Sequence, residues 1–450
     1  MWYHYIGIGG IGMSALAAIM LSRGHKVTGS DLKENLQTDQ LQRQGARIFI
    51  GHFKENVGNP DVVVYSTAVL KDNPERVAAR EKNIKEIHRS ENLAEILDNH
   101  YGIAISGAHG KTTTSAMITY MLYKLGQDPT GIIGGYIPQL GGNYRVGKSD
   151  LVVAESDESD GSFLHYVPKI GSISSVDADH LENFQFDYEK LYDAYKKFVA
   201  SIRDLALICA DDKKTLDLAK YATSKVLTYG LNAGDLRAYD ILEGETTTFK
   251  VRLKDQELGV FSIKLPGKHN VANCLVAIAV ALELGLDIEE VKQALLTFSG
   301  IGRRFEIRYQ TDDLLIVDDY GHHPTEIEAT VDAARNRYPD KEIWLCFQPH
   351  RYSRTKLLWD DFPKALAHAD KIVVLGIYAP PPEQPIPGVS GAVLAQEVKK
   401  LGKTVFYAET LEDAAELLKE KAPKGALILT MGAGTITKLP ELVHIRLVQG

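Results

Sequence analysis

The octet Gly107-Ala108-His109-Gly110-Lys111-Thr112-Thr113-Thr114 holds residue types suited to phosphate chemistry. Glycines let backbone N–H groups close on anionic oxygens, and a following helix adds its positive end. Lys111 would reach the terminal phosphates of a nucleotide, and Thr112 would offer a hydroxyl to Mg²⁺. The longer P-loop pattern places a further glycine where this chain has Ile105, so the motif is the shorter GxxGKT form. An ordinary glycine-rich helix cap is the alternative.

Two acid and histidine clusters extend this chemistry. Glu155 opens Glu155-Ser-Asp-Glu-Ser-Asp160 after the apolar run Asp150–Ala154, and His180 closes Asp177-Ala-Asp-His180 after Ile170–Val176. In a parallel sheet both strand ends share the edge of the phosphate loop, where Glu155 and His180 could join Thr112 on Mg²⁺. A solvated acidic loop and a structural histidine compete with that. Near the start, Gly7-Ile-Gly9-Gly10-Ile11-Gly12 has the dinucleotide spacing between a strand and a helix. Asp31 ends the next strand, where an acid meets a ribose hydroxyl. Ser66 and Thr67 end another strand on the same edge. A tight turn needing glycine only for packing is the alternative.

The second half repeats the pattern. Leu314–Val317 leads into Asp318-Asp319-Tyr-Gly-His322-His-Pro324, and Ile343–Phe347 into Gln348-Pro-His350-Arg351-Tyr-Ser-Arg354-Thr355. Arginines at a helix start oppose the helix dipole, so a nearby anion would account for them; a solvated basic loop would not need one. Asn270 precedes an apolar helix expected over Val271–Leu284, as a cap first and a base contact second.

The elements carrying these turns alternate strand and helix, which predicts parallel α/β sheets. With 450 residues the chain has room for about three domains. The boundaries fall at 1–97, 98–300 and 301–450: an α/β class with Rossmann-like first and last domains and a central P-loop domain. Tyr229–Leu265 alternates as short antiparallel strands would, which makes the central sheet mixed. A net charge of −8 suggests neither a nucleic-acid nor an anionic-membrane partner. Cys209, Cys274 and Cys346 lie far apart in apolar stretches, as expected of reduced thiols in a cytoplasmic protein. The N-terminus lacks signal-peptide features, and no apolar run reaches the ~18 residues of a spanning helix.

HYIGIGGIGMSALA, GAHGKTTT, ESDESDGSF, DADH, GKHNVAN, DDYGHHPTEI, QPHRYSRT and MGAG run in order from residue 4 to 434. Together they resemble the Mur ligase family. The resemblance implies an N-terminal domain for a UDP-sugar, using Gly9, Gly10, Ile11, Gly12, Asp31, Ser66 and Thr67. It implies a central ATPase and a C-terminal domain for an amino acid. The implied reaction is ATP-dependent ligation of L-alanine to the lactyl carboxylate of UDP-N-acetylmuramate through an acyl phosphate, in peptidoglycan precursor synthesis. ATP would contact Gly107, Ala108, His109, Gly110, Lys111, Thr112, Thr113, Asn270, Asp319 and Arg303 or Arg304. Mg²⁺ would take Thr112, Glu155 and His180. Lys111, His322, His350, Arg351 and Arg354 would surround the reacting groups, in a monomer or homodimer. Relatives with a carboxylated lysine hold a second metal; after His180 this chain has Leu-Glu-Asn-Phe, where Glu182 could substitute. A peptide-adding ligase of the same family is the nearest competitor. A nicotinamide oxidoreductase leaves GAHGKTTT unused, and a switch NTPase leaves both flanking domains idle.

Overall fold

The computed structural model describes residues 1–158, 161–177, 181–185, 187–380 and 383–448. The chain forms two compact units. One comprises Met1–Tyr239, Lys250–Phe261 and Ala272–Phe298, the other Asp240–Phe249, Ser262–Val271 and Ser299–Gly450. Among the described residues the strands form three sheets, each flanked by helices, in the expected three-domain α/β class.

The first sheet contains β1 (Trp2–Ile6), β2 (Lys26–Asp31), β3 (Arg47–Ile50), β4 (Val62–Tyr65) and β5 (Lys85–His88), all parallel, in the order β3-β2-β1-β4-β5. Short runs such as Val62-Val-Val-Tyr65 suit a sheet covered on both faces. Successive side chains of β1 enter different cores: Tyr3 and Tyr5 one, Ile6 the other.

The second sheet contains β6 (Tyr101–Ser106), β7 (Thr130–Ile137), β8 (Gly142–Arg145), β9 (Leu151–Glu155), β10 (Ile170–Ile173), β11 (Leu205–Cys209), β12 (Lys225–Gly230), β13 (Leu236–Leu242), β14 (Thr247–Leu253) and β15 (Gln256–Ile263). Its order is β15-β14-β13-β12-β11-β10-β6-β9-β7-β8. The sheet is mixed as expected, with β8 antiparallel to β7, but on the expected antiparallel flank β12 and β13 pair in parallel. Within this unit the helix Ile11–Ser22 packs on β7, and Asn143 Nδ2 donates to Ile11 O at 2.8 Å. That bond ties the first glycine turn to the second sheet.

The third sheet contains β16 (Glu306–Gln310), β17 (Leu315–Asp319), β18 (Ile343–Phe347), β19 (Lys371–Leu375), β20 (Thr404–Ala408) and β21 (Leu427–Met431), ordered β16-β17-β21-β18-β19-β20. Among the described residues only β16, paired with β17, runs antiparallel in this sheet. Leu315 and Val317 face one core and Ile316 the other. In every sheet the parallel strands end on one edge, where a doubly wound fold binds ligands. No helix of the described residues is long and apolar enough to cross a membrane.

Candidate active site

The phosphate loop leaves β6 through Gly107, at φ 123°, and enters the next helix through Gly110, at φ 83°. Both need glycine: a Cβ at Gly107 would strike the Ser174 side chain, and one at Gly110 would lie 2.5 Å from Asn273 Oδ1. The helix spans Lys111–Lys124, so Lys111 and Thr112 occupy its first turn where an anion would sit. Ala108 N donates to Ser175 O at 3.0 Å, and His109 Nε2 stands 2.9 Å from Asp177 Oδ2. Thr113 is buried behind the loop.

Lys111 Nζ donates to Gly107 O at 2.7 Å and to both Glu158 oxygens at 2.9 Å. Burial disfavours its charge, but Glu158 and Asp157 outweigh that and hold its pKa above the usual lysine value. Thr112 Oγ1 donates to Glu155 Oε2 at 3.1 Å, while Ser115 Oγ, at 3.4 Å, and Gly134 N–H reach Oε1. Burial pushes both Glu155 and Glu158 above the ordinary carboxylate range.

A hydroxyl and a half-buried carboxylate in contact beside the loop fit Mg²⁺, which takes one or two carboxylates and completes its shell with phosphates and water. Among the described residues no group of three His, Cys, Asp or Glu could hold a metal alone. A nucleotide-borne ion needs none. His180 lies outside the described residues. Glu158 was not singled out by sequence; its signal was an acid one helical turn's spacing beyond Glu155.

The first glycine turn is organised from β2. Gly7 N and Ile8 N donate to Ser30 O at 2.8 and 2.9 Å, and Gly10 N returns to Gly7 O at 3.1 Å. Asp31 does more than end its strand: Oδ2 accepts from Gly9 N and Oδ1 from Leu32 N, each at 2.8 Å. Asn35 Nδ2 donates to Gly9 O at 3.2 Å. The acid expected at a ribose thus braces the turn. The helix after Gly10 begins at Ile11, and a Cβ on Gly12 would come 3.4 Å from Arg89 Nη1. Arg89 is a cation beside this turn that sequence spacing did not reveal. Ser66 and Thr67 follow β4 on the same edge, with Thr67 Oγ1 3.1 Å from His88 Nε2.

In the second unit, β17 runs through Asp318 and Asp319. Asp318 is fully buried; it meets Arg303 Nε at 3.3 Å and accepts from Thr430 and Thr437 hydroxyls at 2.7 and 2.8 Å. Arg303, at φ 60°, also donates to Gly432 O at 2.6 Å. Asp319 Oδ2 accepts from Phe305 N and Oδ1 from Gly321 N, both at 2.7 Å. Burial is the larger influence and pushes Asp319 up to about 6, against the pull of Arg304. Both acids therefore set the 303–305 turn.

His322 Nδ1 lies 3.2 Å from Tyr320 O, a pure acceptor, so that nitrogen carries hydrogen, and Nε2 is the position that gains or loses the second proton. His350 has the opposite tautomer: its Nδ1 accepts from Arg354 Nη1 at 3.2 Å, so Nε2 donates. The two rings are 5.8 Å apart, and His350 stacks on Tyr378 at 5.7 Å. Burial, with His322, Arg354 and Arg351 repelling a further positive charge, pushes His350 down to about 3. Arg351 caps the helix Tyr352–Leu357 at φ 71°, strained for a non-glycine residue. A cavity of about 470 Å³ adjoins this cluster, with Gln348, Tyr352, Tyr378 and Glu409 in its wall. Asn270 is not a cap. It is the third residue of the helix Lys268–Glu283, and its Nδ2 donates to Pro266 O at 2.7 Å.

Three family models cover nearly the whole chain: "Mur ligase family, catalytic domain" over residues 2–101, "Mur ligase middle domain" over 105–281, and "Mur ligase, glutamate ligase domain" over 303–434. The chain belongs to the Mur ligase family. It is an ATP-dependent ligase that forms amide bonds. The UDP-N-acetylmuramate–L-alanine ligase of Trichlorobacter lovleyi is 43% identical, over 99% of this chain and 98% of that one. The solved UDP-N-acetylmuramate–alanine ligase of Thermotoga maritima is 31% identical with a TM-score of 0.84, covering 100% of this Mur ligase and 99% of its own chain. A murein peptide ligase from Psychrobacter arcticus shares the fold, at TM-score 0.69 and 24% identity over 99% and 98% of the two chains.

Proposed function

We propose that this Mur ligase joins L-alanine to the lactyl carboxylate of UDP-N-acetylmuramate with hydrolysis of ATP to ADP and phosphate. The observation that carries this is its end-to-end likeness to ligases named for that reaction, greater than its likeness to a peptide-adding ligase. We assign the UDP-sugar to residues 1–97, ATP to 98–300 and L-alanine to 301–450.

An amine does not displace oxide from a free carboxylate, so the carboxylate must first be activated. A lactyl oxygen attacks the γ-phosphorus, the bond to the bridging oxygen breaks, and ADP leaves. Lys111 offsets charge on the transferring group, and loop N–H groups orient it. Thr112 and Glu155 would hold Mg²⁺ against the phosphates, where the ion supplies further charge compensation. The alanine nitrogen then attacks the acyl carbon and the C–O bond to phosphate breaks. His322 Nε2 is the acceptor suited to the amine proton, while His350 Nε2–H and Arg354 stabilise the departing oxygens. Arg351 serves the alanine carboxylate.

The test is ADP release with UDP-N-acetylmuramate and a panel of L-alanine, glycine, L-serine and a tripeptide. L-Alanine should give the highest kcat/KM. Turnover with the tripeptide and none with L-alanine would replace this assignment by a peptide ligase.

A further inference from the structure

The Lys111 ammonium donates to Gly107 O and to both oxygens of the Glu158 carboxylate. The pair is secluded, with side-chain exposures of 15% and 3%. A nucleotide phosphate can keep the Gly107 bond, which belongs to the loop itself. It cannot gain the Lys111 charge without competing with Glu158 for it.

We propose that Glu158 is a resident anion on the phosphate-loop lysine, displaced when nucleotide binds and recapturing Lys111 to expel ADP. The inference rests on the ATP assignment above and adds a positioning residue to it. Splitting a buried ion pair opposes whatever causes the split, because each charge is left with its desolvation uncompensated. Lys111 is the cation acting on Glu158, and the neighbouring Asp157 repels it. With ATP bound, the γ-phosphate and its charge hold the lysine. Once that group has moved to the acyl phosphate and left, ADP presents a shorter reach and less charge. The carboxylate then competes for the ammonium on better terms, which restores the Lys111–Glu158 pair.

The experiment is nucleotide binding by the full chain in EDTA, by calorimetry with ADP and by stopped-flow with a fluorescent ADP. Glu158→Gln keeps the shape and removes the charge. Exchanging a charge-assisted for a neutral hydrogen bond predicts ADP affinity about tenfold tighter, carried by slower dissociation. A residue that merely held the loop in shape would give weaker binding. If Glu158→Gln fails to fold, Glu158→Asp reports instead: its shorter arm cannot keep both contacts, and tightening in the same direction is expected. Binding unchanged or weakened in the folded variant overturns the proposal while leaving the ligase assignment standing. A wild-type chain that binds neither ADP nor ATP once Mg²⁺ is restored in excess overturns the assignment and the proposal together.

Discussion

Replacing Asp319 by Asn gives a pH signature whose sign and size both follow from the structure. The carboxyl is 6% exposed, and burial lifts it from an ordinary 3.8 to about 6. At ~1.36 kcal/mol per pH unit, holding it ionised in the fold at pH 7 costs roughly 3 kcal/mol. A raised folded pKa means that the folded state binds the proton more tightly than the unfolded one. Its contribution is therefore fully present below pH ~4 and lost as pH rises through ~6. Asparagine does not titrate. It also turns an NH₂ toward one of the two N–H groups of Phe305 and Gly321, a pH-independent penalty of about 1–3 kcal/mol. The readout is thus the change in the difference between the two proteins. Relative to Asp319→Asn, the wild type should lose roughly 2 kcal/mol of stability between pH 4 and pH 7. Urea unfolding in a Trp2→Phe background would follow it, since Trp344 and Trp359 both lie in the second unit. A flat difference would show that the two backbone donors cancel the burial. A wild type that gains stability with pH would show that Arg304 outweighs burial at this carboxyl and refute the reasoning.

Lys111→Ala should abolish ADP release. It should also destabilise the first unit by roughly 3–5 kcal/mol, because Glu158 stays buried without its cation; a melt alongside the turnover assay checks both. Glu155→Gln should shift the Mg²⁺ titration of activity to higher concentration, and an unchanged midpoint would remove Glu155 from the metal. Gly9→Ala would bring a Cβ 2.6 Å from Asn35 Nδ2 and 2.9 Å from Asp31 Oδ2, so UDP-N-acetylmuramate binding should weaken with little change for ADP in calorimetry. Arg354→Ala should lower kcat/KM for L-alanine by roughly ten- to a hundredfold, the equivalent of a lost charge-assisted hydrogen bond of ~1.5–3 kcal/mol, and normal kinetics would exclude it from the reaction.

What could be read from the chain and what could not divide along one physical line. Gly107 and Gly110 were legible because their backbone angles demand glycine locally, and β4 and β18 because a short β-branched or aromatic run announces a buried strand. The helix starts at Lys111, earlier than its sequence suggests, because Thr113 and Thr114 are poor helix formers held helical by burial behind the loop. Asp31, Asp318 and Glu158 were each visible as acids, but their partners were not. A partner is fixed by which strands are neighbours and in what register. In the second sheet β6 lies between β10 and β9, and Ile105 pairs with Glu155. That single register sets the Glu155 carboxylate beside the first turn after Gly110, where Thr112 meets it, and carries Glu158 over Lys111. In the third sheet the pairing of Asp318 with Thr430 places the acid under Arg303 in the same way. A shift by one residue would turn either acid to the opposite face of its sheet. The charged pairs of both units therefore depend on hydrophobic register far more than on the motifs that contain them. This is why a core substitution in β9 or β21, distant from any substrate, should disturb Lys111 or Arg303 before it unfolds the domain.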